Sequence, residues 1–153
     1  MSFIKRKQNR HQGQFVPTMP EKYVGRYPIV VRSSWERMYC QWLDKNENVK
    51  EWSSEGSVIN YYDPIQMKRR RYYPDFWMKV LDKKGNINKY IIEIKPNHET
   101  RPPVNKRGKK SSKTMLKQEA TYLTNQAKFN AAKQYCDKLG VKFLVLTEKE
   151  LFR

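Results

Sequence analysis

Residues 89–95 read KYIIEIK, and this short stretch decides the fold because it predicts a β-strand that carries charge at one end. Side chains alternate between the two faces of a strand, so Glu93 and Lys95 project together while Ile92 and Ile94 point the other way. A carboxylate and an ammonium therefore share one spot at the end of an apolar strand.

A second segment, residues 72–76 (YYPDF), lies upstream and opens a predicted strand that runs to Leu81. Residues 82–86 (DKKGN) predict a hairpin turn between the two strands, and that turn brings Asp75 near Glu93. Each half of the pattern also has an ordinary interpretation. Pro-Asp is a common turn dipeptide, and Glu-x-Lys is a common exposed ion pair.

Two carboxylates at one point suit a hard divalent cation, for which Mg²⁺ is the first candidate and Mn²⁺ a substitute. We predict that Asp75 and Glu93 are metal ligands and that the Ile94 carbonyl supplies another oxygen. Lys95 would orient or deprotonate the water that attacks a phosphodiester, and it would balance charge on the phosphate. The electrostatic role of Lys95 is preferred to its role as a base.

The order Pro74-Asp75, a hairpin, then Glu93-x-Lys95 resembles the PD-(D/E)XK nuclease superfamily. Wider similarity covers residues 32–36, 49–62, 71–76, 93–96 and 140–148, which look like the endonuclease subunit of heteromeric cut-and-paste transposons. The short chain with a basic amino terminus looks like the head-completion nucleases of T-even-like tailed phages. The resemblance implies an α/β fold with a restriction-endonuclease-like core, in which helices flank both faces of a mixed β-sheet.

By the same resemblance, Glu36 completes the acidic set at the site. Glu36 lies on a predicted helix that begins at Ser33 or Ser34, at the margin of its apolar stripe. The alternative is a capping box, in which Ser33 and Glu36 only satisfy the amino terminus of the helix. Related nucleases also place a polar residue on the helix before the last strand, where this chain has Gln126 and Lys128. A solvent-facing position is favoured for both.

The charge balance points to a polyanionic partner. The chain has 153 residues with 32 Lys+Arg against 15 Asp+Glu, and its formal net charge is +17, so DNA is the expected partner. Anionic lipid is the weaker alternative, because no run of about 18 apolar residues and no secretory signal is present. The expected locations are the host cytoplasm and the virion, and the protein is not expected to be secreted.

Three basic segments are candidates for DNA contact. We predict a basic amino-terminal arm at residues 1–28 and a nuclease domain at residues 29–153, with a basic loop at residues 97–113. A solvated tail and a solvated insertion are the alternatives for the arm and the loop. The candidate DNA-binding residues are Lys5, Arg6, Lys7, Arg10, Lys68, Arg69, Arg70, Arg71, Arg101, Lys106, Arg107, Lys109 and Lys110.

The remaining pattern supports a single layered domain. Short strands are predicted at residues 49–52, 57–62 and 141–146. An apolar stripe from Leu116 through Leu123 to Leu139 predicts a long helix that ends at Gly140. Cys40 and Cys136 are interpreted as reduced packing residues, since their spacing does not suit zinc.

Three functions remain open from the sequence, of which ribosomal or RNA binding is the least favoured because no KH-like or RNP-like aromatic motif is present. The first is a Mg²⁺-dependent endodeoxyribonuclease, and the resemblance to head-completion nucleases implies that it acts on packaged phage DNA ends and meets capsid, portal or neck proteins. The alternative is a non-catalytic DNA-binding structural protein of the virion. One active site per chain is compatible with a homodimer, which a double-strand cut would require.

Overall fold

The computed structural model describes residues 13–152. The helices are α1 (Ser34–Lys45), α2 (Ser112–Leu139) and α3 (Glu148–Leu151). The strands are β1 (Gly13–Phe15), β2 (Ile29–Val31), β3 (Val49–Ser54), β4 (Ile59–Asp63), β5 (Lys68–Tyr72), β6 (Phe76–Leu81), β7 (Ile87–Ile94) and β8 (Lys142–Leu146), and 3₁₀ turns span Pro20–Lys22 and Asn97–Thr100. The cations predicted at positions 5, 6, 7 and 10 lie outside the described residues.

The central sheet has four strands in the order β3-β6-β7-β8. The first three are antiparallel neighbours, and β8 runs parallel to β7. Helix α1 packs on one face with Trp52, Phe76 and Ile92, and α2 packs on the other with Ile91 and Trp77. Because both faces are covered, Ile91 and Ile92 are both buried although they point in opposite directions. The predicted mixed sheet with helices on both faces is confirmed.

Helix α1 follows its sequence signals. Ser33 is the N-cap, and its hydroxyl accepts a hydrogen bond from the Glu36 amide at 3.1 Å. Leu43 and Cys40 are fully buried against the sheet, whereas Trp42 is 45% exposed. The predicted turn between β6 and β7 is also present, with hydrogen bonds that join Asp82 to Asn86.

The predicted strand over residues 72–81 is divided in two. The basic run at residues 68–71 belongs to β5, which pairs with β4 in a separate hairpin, while β6 starts only at Phe76. Pro74 lies between them and cannot donate to a strand ladder, so the chain leaves one sheet and enters the other at this point. This corner positions Asp75.

Residues 13–28, counted with the arm from the sequence, pack onto the domain. Strand β1 pairs with β2, Phe15 and Tyr23 join the core around Trp52, and Lys22 is buried. The composition of this segment does not predict its packing, because the segment buries only a few side chains, although these are large. The basic loop is also shorter than residues 97–113, since a 3₁₀ turn opens it and Ser111 already caps α2.

The predicted apolar stripe of α2 matches the packed face only in part, since Ala127 and Ala131 pack against the core. Leu116, Leu123 and Leu139 are exposed, whereas Asn125, Ala132 and Cys136 are buried. Only the carboxyl-terminal half of α2 lies over β4, β8 and their neighbours, so the amino-terminal leucines have no sheet to cover. Cys40 and Cys136 are free and buried, in agreement with a packing role.

Candidate active site

The two predicted carboxylates meet where β6 and β7 begin to separate. Antiparallel pairing sets Phe76 opposite Ile92, so Asp75 comes beside Glu93 and Ile94. The Ile94 amide donates to Asp75 Oδ2 at 2.8 Å, and the Asp75 amide donates to Glu93 Oε2 at 3.2 Å. Each carboxylate therefore binds the backbone of the opposite segment, and this reciprocal pair fixes both side chains.

Burial and mutual repulsion disfavour the ionised form of this pair. Glu93 is only 6% exposed. Burial and, after it, the charges of Glu93 and Glu36 raise the pKa of Asp75 to about 8, although the Ile94 hydrogen bond and Lys95 oppose the shift. Burial also raises the pKa of Glu93, although Tyr72 and Lys95 oppose that shift. The site is short of positive charge.

Lys95 provides part of that charge. Its Nζ lies 3.6 Å from Glu93 Oε1, and its side chain is 26% exposed while that of Glu93 is 8% exposed. The ammonium thus sits at the mouth of the site, with the carboxylates behind it. The predicted projection of Glu93 and Lys95 from one face of the strand is present.

Glu36 combines features of both interpretations. The Ser33 cap exists, but Glu36 Oε2 accepts from the Arg32 amide at 2.8 Å instead of completing a capping box at Ser33. The negative charge of Glu36 nevertheless contributes to the raised pKa of Asp75. The structure therefore brings Glu36 within electrostatic reach of Asp75 and at the same time gives it a role at the helix terminus.

Lys128 faces the site instead of open solvent. Its Nζ lies 5.6 Å from the centroid of the Tyr72 ring and 5.8 Å from that of Tyr61. Burial lowers the pKa of Lys128, the charge of Lys95 lowers it further, and Glu93 opposes both. Gln126 is half-buried and forms no hydrogen bond to either carboxylate among the residues that the structure describes.

Tyr72 was missed in the sequence. It ends β5, and its buried hydroxyl has no regular hydrogen-bond partner within the described part of the chain. Burial and the neighbouring Glu93 raise the pKa of Tyr72, so the hydroxyl stays protonated beside the acidic pair. The YYPD sequence places an aromatic residue three positions before Asp75, which is the signal that could have identified it.

The donor set fits a small oxygen-preferring cation. Each carboxylate commits one oxygen to a backbone amide, which leaves Asp75 Oδ1 and Glu93 Oε1 directed elsewhere. Within residues 13–152 no group of three or more His, Cys, Asp and Glu is arranged for a metal. Mg²⁺ binds through one or two carboxylates and keeps several waters, whereas structural zinc needs four protein ligands.

The predicted DNA-binding cations form two described groups. Lys68, Arg69, Arg70 and Arg71 are exposed on β5, and Arg70 pairs with Asp63 at 3.4 Å. Lys106, Lys110 and Arg101 line a cavity of about 770 Å³ between the basic loop and α2.

Part of the basic loop is held in place. Lys110 Nζ donates to Val104 O at 2.7 Å and to Gln118 Oε1 at 2.8 Å. The loop is therefore attached to α2 at this point, while Arg107 and Lys109 are exposed.

No helix within residues 13–152 combines the length and the apolar character that a membrane crossing requires.

A mixed sheet between two helical layers, with an aspartate at a proline corner and Glu-x-Lys on the next strand, defines a restriction-endonuclease-like nuclease. A family model described as TnsA-like endonuclease N terminal matches residues 46–148, and the chain belongs to this family. It is 39% identical over 144 residues to the head completion nuclease of Enterobacteria phage T4, covering 92% of this chain and 93% of that protein. No solved structure matches the chain.

Membership of this family makes the chain an endonuclease with DNA as its substrate class. The matched region contains Asp75, Glu93, Lys95 and Lys128, whereas Glu36 precedes it. Family membership favours the enzymatic interpretation over the non-catalytic virion protein.

Proposed function

We propose that the protein is a Mg²⁺-dependent endonuclease that hydrolyses phosphodiester bonds in DNA. The pair formed by the half-buried Asp75 and the buried Glu93, locked by reciprocal hydrogen bonds to the backbone and bordered by Lys95, carries the proposal. Two carboxylates with raised pKa values and a single lysine at contact distance form a poor structural ion pair, but they suit a cation supplied from solution.

Asp75 and Glu93 would hold the ion, with the Ile94 carbonyl as a further ligand, and Mn²⁺ would substitute for Mg²⁺. When bound, the ion polarises the phosphate and makes hydroxide available near neutral pH. The fit rests on oxygen donors alone, which Mg²⁺ and Mn²⁺ prefer and zinc does not.

The remaining side chains act on the substrate. Lys95 lies at the mouth of the site, where it can orient the attacking water and balance charge on the phosphate during hydrolysis. Lys128 adds a second, partly desolvated cation within electrostatic reach of Glu93. The negative charge of Glu36 raises the pKa of Asp75 and so adds to the demand for positive charge, and we assign Glu36 a positioning role at the site.

DNA is held by the exposed cations on β5 and on the loop after the catalytic strand. Phosphate contacts by Lys and Arg provide most non-specific affinity for duplex DNA and set the register of the substrate. Both groups flank the carboxylate pair, since β5 leads into Asp75 and the loop follows Lys95.

The setting that we propose is phage head completion. The T4 relative is named a head completion nuclease, and the present chain resembles it over nearly its whole length. We extend that role to this chain as cleavage at packaged DNA ends, with capsid, portal or neck proteins as partners, in the host cytoplasm and the virion. A homodimer would allow both strands to be cut.

Incubation of supercoiled plasmid with the purified protein tests the proposal. Nicked or linear DNA should form with Mg²⁺ or Mn²⁺, and it should not form with EDTA or with the Asp75→Ala variant. Cleavage by Asp75→Ala at the wild-type rate would overturn the site assignment. Full activity in EDTA would overturn the metal dependence and leave the endonuclease class intact.

A further inference from the structure

The tip of the β4–β5 hairpin exposes apolar surface in a fixed shape. Ile65 is 47% exposed and Met67 is 74% exposed. Asp63, itself 2% exposed, accepts hydrogen bonds from the amides of Ile65 at 2.9 Å and Gln66 at 3.2 Å. Met67 adopts a φ of 52°, a left-handed conformation that residues other than glycine seldom take. The turn thus holds two large apolar side chains in water.

The strand behind this tip is cationic along its length. Pairing sets Arg69 opposite Tyr62 and Arg71 opposite Asn60, so these four side chains share the face turned away from α2. All four are exposed. The outer face of the hairpin therefore offers two guanidinium groups, an aromatic ring and an amide, which are groups that bind phosphates and base edges.

The inner face anchors the hairpin beside the site. Ile59, Tyr61 and Tyr72 are buried with Ala132 and Cys136 of α2. A strand rises about 3.3 Å per residue, which puts Met67 about 17 Å from Tyr72. Tyr72 itself adjoins Glu93, so the tip would reach DNA about five base pairs from the site of cleavage.

We propose that the β4–β5 hairpin is a wedge that inserts Ile65 and Met67 between base pairs and kinks duplex DNA next to the active site. The inference rests on the proposed function for its substrate and adds the deformation of that substrate. Apolar side chains such as Ile and Met that enter a base step bend DNA by about 20–90°, and phosphate contacts offset the cost of unstacking. Here Lys68, Arg69 and Arg71 follow directly after the wedge.

A protein contact is the competing use of the same tip. Two side chains offer far less area than the roughly 800 Å² per partner of a stable protein interface. The run of cations beside them also repels most basic partners and attracts a polyanion. These two features favour DNA.

Bending can be measured without cleavage. The parent is the Asp75→Ala chain, bound to a duplex of about 20 base pairs with a fluorescence donor and acceptor at its ends. The tip variant adds Ile65→Ser and Met67→Ser. The matched control adds Val16→Ser and Val24→Ser, two exposed aliphatic residues far from the hairpin in sequence. We expect energy transfer to rise when the parent or the control binds the duplex but not when the tip variant binds it. The DNA affinities of all three proteins should agree within about threefold, because their cations are unchanged.

Cleavage provides the second measurement. In the otherwise wild-type chain, the tip variant should cut intact duplex about tenfold more slowly. On a duplex with a short mismatched bubble, which is already unstacked, the cleavage rate of the tip variant should be within about threefold of the wild-type rate.

An equal rise in energy transfer for the tip variant and the parent would overturn the wedge while the endonuclease proposal stands. Loss of self-association by light scattering in the tip variant, with bending unchanged, would also overturn it and assign the tip to a protein contact. Failure of the parent to bind DNA at all would overturn the proposed function and the wedge together.

Discussion

Two of the sites that hold buried charge in the described part of the chain are built in opposite ways. At the junction of residues 18–22 with the end of α1, Asp44 and Lys22 are 1% and 8% exposed and have abundant hydrogen-bond partners. At the β6–β7 junction, the carboxylates of Asp75 and Glu93 each accept one hydrogen bond from a backbone amide, and they repel each other. The contrast separates the Asp44–Lys22 charges, which stabilise the fold, from the Asp75–Glu93 charges, which we propose to serve in metal binding and catalysis.

Asp44 is surrounded by donors. Its carboxylate accepts from Thr18 N at 2.9 Å, Thr18 Oγ1 at 2.6 Å and Met19 N at 2.9 Å. Burial would raise the pKa of Asp44, but these hydrogen bonds and Lys22 outweigh it, and the pKa is lowered. The ionised form is therefore the form that the fold selects.

Lys22 completes that arrangement. Its Nζ donates to the backbone carbonyls of Leu43 at 2.6 Å, Asp44 at 2.9 Å and Asn46 at 2.8 Å, at the carboxyl terminus of α1. Helix termini leave such carbonyls without partners, and a cation there also favours the helix dipole. The Asp75–Glu93 pair has Lys95 at 3.6 Å from Glu93 and one backbone amide for each carboxylate, so in the proposed function a metal ion supplies the remaining positive charge.

The largest expected effect is the loss of activity in Glu93→Gln. The amide keeps an acceptor for the Asp75 backbone but removes a ligand charge, so cleavage of plasmid should fall by about 10³-fold or more. The free energy of unfolding should not fall, because a repulsive charge is removed. Nicking assays beside chemical denaturation check both parts, and a stability loss as large as that of an Asp44 variant would contradict the contrast between the two sites.

Lys95→Ala should have the next largest effect. Removal of a positioned proton-transfer or charge-balancing group is expected to slow cleavage by about 10²–10⁴-fold. Binding of Mg²⁺, followed by calorimetric titration, should persist because the carboxylates remain. If metal binding is lost with the fold intact, Lys95 has a different role from the one proposed.

The carboxylate pair was predictable because its position follows from short-range rules. Strand alternation placed Glu93 with Lys95, the turn at residues 82–86 set an antiparallel partner, and Asp75 followed from that pairing. The cap and buried face of α1 were predictable for the same reason, since Ser33 and a helical stripe are local signals.

Lys128 and strand β5 depend on distant partners. Lys128 is identified only through the family resemblance, with a solvent-facing position favoured, and β5 is not identified as a strand. Four consecutive cations show no alternation, and only pairing with β4 makes residues 68–71 a strand. Periodicity gave α2 but only part of the face that meets the sheet, because its leucines are exposed and small residues pack instead. Lys128, Ala132 and Cys136 recur at a spacing of four, which is the signal that could have placed Lys128 on the packed face.

The Asp44 side of the comparison can be broken by Asp44→Asn. The amide keeps the shape but presents an NH₂ group to donors, and hydrogen bonds to a charged group are lost, so the free energy of unfolding should fall by about 3 kcal/mol. Cleavage per folded molecule should not change. Asp137→Asn, an exposed aspartate on α2, is the matched control and should leave stability unaltered. An Asp44→Asn protein as stable as this control would show that its hydrogen bonds contribute little.

The smallest expected effect, and the sharpest distinction, is the sign of the pH dependence of stability in EDTA. The folded pKa of Asp75 is raised to about 8, so the folded state holds protons that the unfolded state releases from about pH 4 upward. Stability should therefore decline as pH rises from about 4 to 8, by about 1–2 kcal/mol because Lys95 and local relaxation offset part of the repulsion. The pKa of Asp44 shifts in the other direction: because it is lowered, Asp44 contributes stability that is present above about pH 4 and lost as pH falls through the folded pKa.

Denaturation at a series of pH values should show that Asp75→Asn flattens the decline in stability between pH 4 and 8 but keeps the loss of stability in acid, and that Asp44→Asn does the reverse. Mg²⁺ should restore the wild-type protein at pH 8, where both site carboxylates can ionise around it. An identical slope in wild type and Asp75→Asn would mean that the site carboxylates carry no stored repulsion, and the distinction between the two buried sites would fail.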